Sequence, residues 1–314
     1  MPHVTFIHGI ANKPPREKLL ENWEAYLAQG GLDLAAEGVT TSMVYWADIL
    51  YAEPLTPEAN FEAVEEALGT LEADEDLAWV DDLPDDEKAF VESFRKKLRL
   101  DKASPEGDDY APPAPQEDED DLELQFEAIP LPWFIKRRVM KALLKDVHHY
   151  LFNTKFSPRP GEEYQVQDHI RKLFIEQLKK DSKDVDGPHV VVSHSMGTVI
   201  SYDCLKNVPD CPSVDAYMTV GCPLGISEVY DNFKPDYDKQ DAFPSTKIGG
   251  DWVNVYDRLD PVAFDARIAN DYRKNGQKVI IDQRVHNSGR WRHSSYKYYG
   301  QKALCDHLKK LLEI

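Results

Sequence analysis

An α/β fold built on a doubly wound, mostly parallel sheet is what this chain predicts, and three observations lead there. Apolar, β-branched runs alternate with helix-patterned segments over residues 1–50 and again over 160–314, the order in which helices serve as crossovers between parallel strands. One such run, His189-Val190-Val191-Val192, stops at Ser193-His194-Ser195-Met196-Gly197, and a helix-compatible segment follows at once. Residues 51–159 interrupt the alternation with helical pieces and dense acid, so they read as a large helical cap or lid inserted into the framework.

The first strand is Val4-Thr5-Phe6-Ile7, ending at His8-Gly9. A helix is expected over 15–27, where Leu19, Leu20, Trp23 and Leu27 share a side, and a second strand over 39–46. After residue 160 the spacing predicts a helix over 165–178, strand 190–192, helix 197–205 and strand 216–220. Strands over 252–256 and 278–285 and a closing helix over 298–312 complete the pattern.

Within the insertion, helices are expected over 61–71 and 85–98. The stretch 104–121, with Pro105, Pro112, Pro113, Pro115 and an acid run, has too few apolar residues to order itself and is expected to be a mobile loop. A helix of opposite character covers 132–152. Ile135, Val139, Leu143, Val147 and Leu151 recur at i, i+4 beside Met140 and Leu144, while Lys136, Arg137, Arg138, Lys141 and Lys145 line the other side. Three roles stay open for it: an ordinary core-facing helix, a lid over an apolar pocket, or a membrane-surface contact.

Charge is uneven. Of 56 Asp and Glu and 37 Lys and Arg, residues 51–130 hold 26 acids against 6 bases, whereas the remaining residues nearly balance. A field of that sign repels phosphate, so nucleic acid is excluded as a partner. There is no apolar run long enough to cross a bilayer and no charged and apolar leader before Val4, which leads to the expectation of a cytoplasmic protein. The four cysteines, Cys204, Cys211, Cys222 and Cys305, form no C-x-x-C pair. They read as reduced thiols, with a Cys204–Cys211 disulfide left open. His148 and His149 are adjacent, which is poor spacing for a shared metal, so a solvated or interfacial pair is expected.

The Ser195 corner carries the chemistry. A serine on a sharp strand-to-helix turn takes a strained conformation that needs small residues two positions either side, here Ser193 and Gly197. The helix that begins there points its unpaired N–H groups at charge developing beside the hydroxyl. A serine hydroxyl needs a base to take its proton and an acid to support that base.

This strand-turn-helix resembles the nucleophile elbow of the α/β-hydrolase superfamily, with Ser193 in place of the usual glycine. The resemblance, to lipase-like and esterase-like serine hydrolases, implies an α/β-hydrolase core over 1–50 and 160–314 and a triad in the chain order serine, acid, histidine. Asp260, in Asp257-Arg258-Leu259-Asp260-Pro261-Val262, is the match to the acid, with Asp257 and Asp265 as competitors. His293, in Arg292-His293-Ser294-Ser295-Tyr296, is the match to the base, with His286 as runner-up. The resemblance implies an oxyanion hole formed by the N–H groups of Met196 and Ile10, although Gly9 could merely allow a tight turn. His8, Gly9, Cys222, Pro223 and Leu224 are expected to line the substrate site. Cys222 is a weak alternative nucleophile, and His194 reads as a packing residue beside the site. The implied reaction is hydrolysis of a carboxylic ester, small-molecule or lipid, with a hydrophobic acyl or alcohol part, through an acyl-enzyme on Ser195. No cofactor and no metal are called for. A thioesterase, amidase or acyltransferase would use the same triad. The rival from another class is a non-catalytic protein that binds a basic partner through its acidic insertion.

Overall fold

A computed structural model describes residues 1–55, 77–97, 133–183, 186–235, 238–263, 265–288 and 291–314, with side chains 77, 78, 97 and 133–139 outside the description. The helix expected over 61–71, the loop expected over 104–121 and the outer side chains Ile135 to Val139 lie outside it.

In chain order the elements are β1 (His3–Ile7), α1 (Arg16–Gln29), β2 (Thr40–Val44), α2 (Ala47–Leu50), α3 (Asp85–Lys97), α4 (Trp133–Leu151), β3 (Lys155–Phe156), β4 (Tyr164–Gln165), α5 (Val166–Asp181), β5 (His189–His194), α6 (Met196–Asn207) and β6 (Ala216–Val220). The chain continues through α7 (Ser227–Tyr230), β7 (Trp252–Tyr256), β8 (Ile281–Arg284), α8 (Ser295–Tyr299) and α9 (Lys302–Leu312). Six strands form one sheet in the order β2-β1-β5-β6-β7-β8, and every pairing in it is parallel. β3 and β4 make a small antiparallel pair at the end of α4.

Parallel strands need cover on both faces, and the valine run supplies it by alternation. Val190 and Val192 pack with Val4, Phe6, Met218 and the α1 and α9 side chains Trp23, Leu27 and Leu308. Val191 faces the other way, into a core with Tyr217, Trp252 and residues of α4, α5 and α6. The expected α/β class with a parallel sheet is therefore what the chain adopts.

One reading changes. The closing helix is two helices, because Gly300 ends α8, its N–H bonding to the Tyr296 carbonyl, and α9 starts afresh at Lys302. The four cysteines are free and buried, so the disulfide left open is not formed. As for α4, its Met140, Leu143, Leu144, Val147 and Tyr150 are buried in the same core as Ile170 and Phe174 of α5 and Val199 of α6. From Met140 onward it is a core-facing helix. Its end is tied down through Asp203 of α6, which accepts hydrogen bonds from Tyr150 (2.6 Å) and from Arg171 of α5 (2.7 and 2.9 Å). Among the described residues no helix is long and apolar enough to cross a membrane.

The chain runs β1 to β2 on one side of the sheet, then returns to place β5 on the other side of β1. A crevice opens at such a reversal, beyond the carboxyl ends of β1 and β5, and ligands of open α/β sheets sit there. Gly9 follows β1 and Ser195 follows β5.

Candidate active site

Ser195 stands between β5 and α6 with φ 56° and ψ −129°, a left-handed backbone that a side chain rarely adopts. Close packing forces it. A Cβ on Gly9 would lie 2.4 Å from Ser195 Cβ, and one on Gly197 would lie 2.7 Å from the carbonyl oxygens of Ile7 and His8. Both glycines are therefore steric necessities. Ser193 fits where a glycine is usual because its hydroxyl joins a buried chain, 2.7 Å from Ser201 Oγ, which is itself 2.6 Å from Tyr217 Oη.

The acid and base predicted from sequence meet. His293 Nδ1 lies 2.9 and 2.8 Å from the two oxygens of Asp260. Asp260 also accepts from Tyr298 Oη (2.7 Å) and from the N–H groups of Val262 (2.8 Å) and Ala263 (3.2 Å). Burial alone would raise its pKa, but the His293 imidazole, Tyr298 and the Val262 N–H together hold it below the usual carboxylate value. Because Nδ1 donates to Asp260, neutral His293 bears its lone pair on Nε2. That Nε2 and Ser195 Oγ are both buried, and neither has a hydrogen-bond partner among the described residues.

The end of β6 meets the Ser195 backbone and, through Gly221, the acid and base. The Ser195 N–H bonds to the carbonyl of Val220 (2.9 Å), and a Cβ on the next residue, Gly221 (φ +56°), would lie 3.0 Å from Asp260 Oδ2 and 3.1 Å from His293 Nδ1. His194 bonds through Nε2 to the His293 carbonyl (2.8 Å), with ring centroids 4.7 Å apart. It is the packing residue expected. Burial and the neighbouring His293 push its pKa well down, so it stays neutral.

The competitors go elsewhere. Asp257 binds the N–H groups of Leu259 (2.8 Å) and Asn287 (2.5 Å) and lies 3.3 Å from Arg292, the residue before His293. It thus holds the loop that carries His293. His286 is exposed. Asp265 puts its backbone against Gly225, where a Cβ would lie 2.0 Å from the Asp265 carbonyl oxygen.

The loop after β1 is held one peptide at a time. Trp46 donates its N–H to His8 Nε2 (3.0 Å), which places the proton on Nδ1, and Nδ1 donates to the Gly9 carbonyl (2.9 Å). Burial first, then Lys13, lowers the His8 pKa to about 3, so the ring stays neutral. In a trans peptide the N–H points opposite to the C=O. The Ile10 N–H is thereby directed away from His8. Met196, the first residue of α6, has an N–H with no intrahelical acceptor.

Cys222, Pro223 and Leu224 are buried: the Cys222 sulfur accepts from the Leu224 N–H (3.4 Å), and the Leu224 carbonyl accepts from Tyr272 Oη (2.7 Å). Burial pushes the Cys222 thiol up to about 12, far from the thiolate a nucleophile requires. Gly221 is the member of this turn that touches the acid and base.

No family model matches the chain, and no curated protein matches its sequence.

Sequence reasoning missed Tyr298 and Arg292. The signal for Tyr298 was present: it lies one turn into the helix that starts just after His293, so it returns toward the same carboxylate. It also missed a polar cluster at the opposite ends of the strands. His3, His189 and Asp181 place ligand-type atoms within 4.8 Å of one another. The Thr5 hydroxyl lies between two of them, donating to Asp181 (2.7 Å) and 2.8 Å from His189 Nε2, and Ser42 also donates to Asp181 (2.5 Å). These bonds tie α5 to β1, β2 and β5. His148, expected in a solvated or interfacial pair, is buried, 2.7 Å from Glu87 of α3 and packed against Trp79 and Phe152.

Proposed function

We propose that this protein is a serine hydrolase of the α/β-hydrolase kind, cleaving a carboxylic ester through an acyl-enzyme on Ser195. One observation carries the reading: a serine on a left-handed strand-to-helix corner and an imidazole nitrogen, both buried without partners among the described residues, with the other imidazole nitrogen held by a buried carboxylate. A buried polar atom left unsatisfied is costly, which is expected where its partner is a substrate or a transition state. The strand order and the chain order of serine, acid and histidine support it.

In the proposed reaction Ser195 Oγ bonds to the acyl carbon as its proton passes to His293 Nε2. The carbonyl electron pair moves onto oxygen, where the N–H groups of Met196 and Ile10 receive it. Each such donor is worth about 2.7–4 kcal/mol of barrier. Collapse expels the alcohol, which takes the proton from His293. Water then repeats the sequence and releases the acid. Asp260 supports the imidazolium formed in each half. Ile10, Met196 and Leu224 belong to the large apolar cluster, which supports an ester with a hydrophobic part.

A fluorophosphonate probe with peptide mapping tests the reading. Stoichiometric labelling of Ser195 in the parent, absent from Ser195→Ala, is expected, together with turnover of p-nitrophenyl esters of graded chain length. A folded parent that neither labels nor turns over any ester would overturn it.

A further inference from the structure

Helix α4 belongs to the insertion, yet one of its side chains reaches the loop after β1. Residues 131–155 contain six bases and a single acid, Asp146. That acid is buried, and its Oδ2 accepts the N–H of Ala11 at 3.0 Å. Its other oxygen lies 3.5 Å from Tyr51 Oη, on the segment that leads into the insertion. Ala11 has φ 66°, a conformation a non-glycine residue keeps only when its surroundings impose it. The carbonyl of Ile10, at the opposite side of the same peptide group, accepts from the buried ammonium of Lys13 at 2.5 Å. A lone buried acid on an otherwise basic helix thus grips one end of a peptide, and a buried lysine grips the other.

We infer that Asp146 and Lys13 clamp the Ile10–Ala11 peptide and thereby fix the loop in which the neighbouring Gly9–Ile10 peptide turns the Ile10 N–H toward the developing oxyanion, making α4 a working part of the active site. The inference rests on the proposed hydrolase reading. His8 holds the preceding peptide through the Gly9 carbonyl, so the planes on both sides of Ile10 are set by side chains. The two peptides differ in origin. His8 and Gly9 belong to the sheet framework, whereas Asp146 arrives from the insertion and can serve only while α4 is docked. Asp146 and Lys13 are positioning residues, since neither touches the reacting atoms.

The test pairs turnover with affinity for a trifluoromethyl ketone, a probe whose carbonyl carbon bonds to Ser195 Oγ, whose oxygen becomes an oxyanion and whose reaction hands the serine proton to His293. In Asp146→Ala, kcat on a p-nitrophenyl ester is expected to fall about 30-fold with KM within about threefold, a loss smaller than that of deleting a donor outright. Inhibitor affinity should weaken by a similar factor. Asp146→Asn retains an acceptor for Ala11 and should recover most of the loss. Lys13→Met, which releases the other end of the peptide, should give the same split and serves if Asp146→Ala does not fold. A labelled, active parent whose Asp146→Ala and Lys13→Met variants keep kcat and inhibitor affinity within threefold overturns the clamp alone. Loss confined to KM does the same. A parent that fails to label with fluorophosphonate overturns the hydrolase reading and this inference with it.

Discussion

Ser195 concentrates most of what is unusual in the backbone near the site. Its left-handed φ is kept where Gly9 and Gly197 let the end of β1 and the loop after it approach to van der Waals distance. Ser195→Ala should abolish ester hydrolysis, a loss of at least about 10³-fold, while the melting temperature stays level or rises, since a buried unpartnered hydroxyl is removed. Activity within tenfold of the parent would remove Ser195 from the reaction. Gly9→Ala is a sharper structural probe. The added methyl would sit 2.4 Å from Ser195 Cβ, so a cost of about 1–3 kcal/mol in urea unfolding is expected along with loss of labelling. At the base, His293→Ala should be nearly as damaging as loss of the serine. His286→Ala should be mild, because His286 is exposed and His293 is the histidine on Asp260.

Among the elements, α4 is the one whose role the sequence left open. Its basic side and i, i+4 apolar side fit a lid, a membrane contact or a core helix equally well, because amphipathicity states that a face is covered without naming the cover. Packing of Leu143, Val147 and Tyr150 against α5 and α6 makes this half of it structural. Leu143→Asp is therefore expected to unfold the protein and not merely to loosen a cap. The Asp203 junction with Tyr150 and Arg171 is the polar counterpart of that packing. Asp203→Ala leaves Arg171 and Tyr150 without their shared carboxylate, and a loss of about 3 kcal/mol in urea-monitored stability is expected. A change under about 1 kcal/mol would show that the apolar contacts alone dock the helix.

For the molecule as a whole, buried neutral histidines set the response to acid. His8 and His149 are lowered to about 3 and His189 to about 4, in each case chiefly by burial, and His194 is lowered strongly. Unfolded, each regains a pKa near 6.5, so between about 6.5 and 4 the unfolded chain binds more protons than the folded one and stability falls as pH falls. Each histidine steepens that fall by at most about 1.4 kcal/mol per pH unit. Lower still, Asp260 and Asp181 add to it: their folded pKa values are depressed, that of Asp181 to about 2, so their contribution is present above the ordinary carboxylate value and is lost on further acidification. Thermal melts at pH 7.5, 6 and 5 should show a progressive drop, with a shallower slope in His8→Phe at equal starting stability. A melting temperature constant from pH 7.5 to 5 would mean these histidines are not held neutral.

How much of this was legible beforehand follows from what each property depends on. Strands β6 and β7 and the parallel sheet could be read because β-branched runs bounded by turn residues report local preference and two-sided burial together. The Ser195 corner and the Asp260–His293 contact were legible because each of these residues follows a recognisable strand, and strand ends converge once the sheet is parallel. The burial of His148 was not, since it depends on neighbours distant in sequence. The same holds for Arg292 on Asp257 and Asp146 on Ala11, whereas Tyr298 on Asp260 was within reach, lying one turn into the helix after His293. Asp146 illustrates the reason most plainly. In the sequence it is one acid among five bases on a helix, a pattern that suggests a solvated face. Its burial and its bond to Ala11, 135 residues away, exist only because α4 packs beside the carboxyl end of β1. Local pattern determines which segments become strands and helices and what chemistry their ends can offer. Long-range packing decides which side chains those ends meet, because a hydrogen bond between residues far apart in the chain leaves no periodicity in either of them.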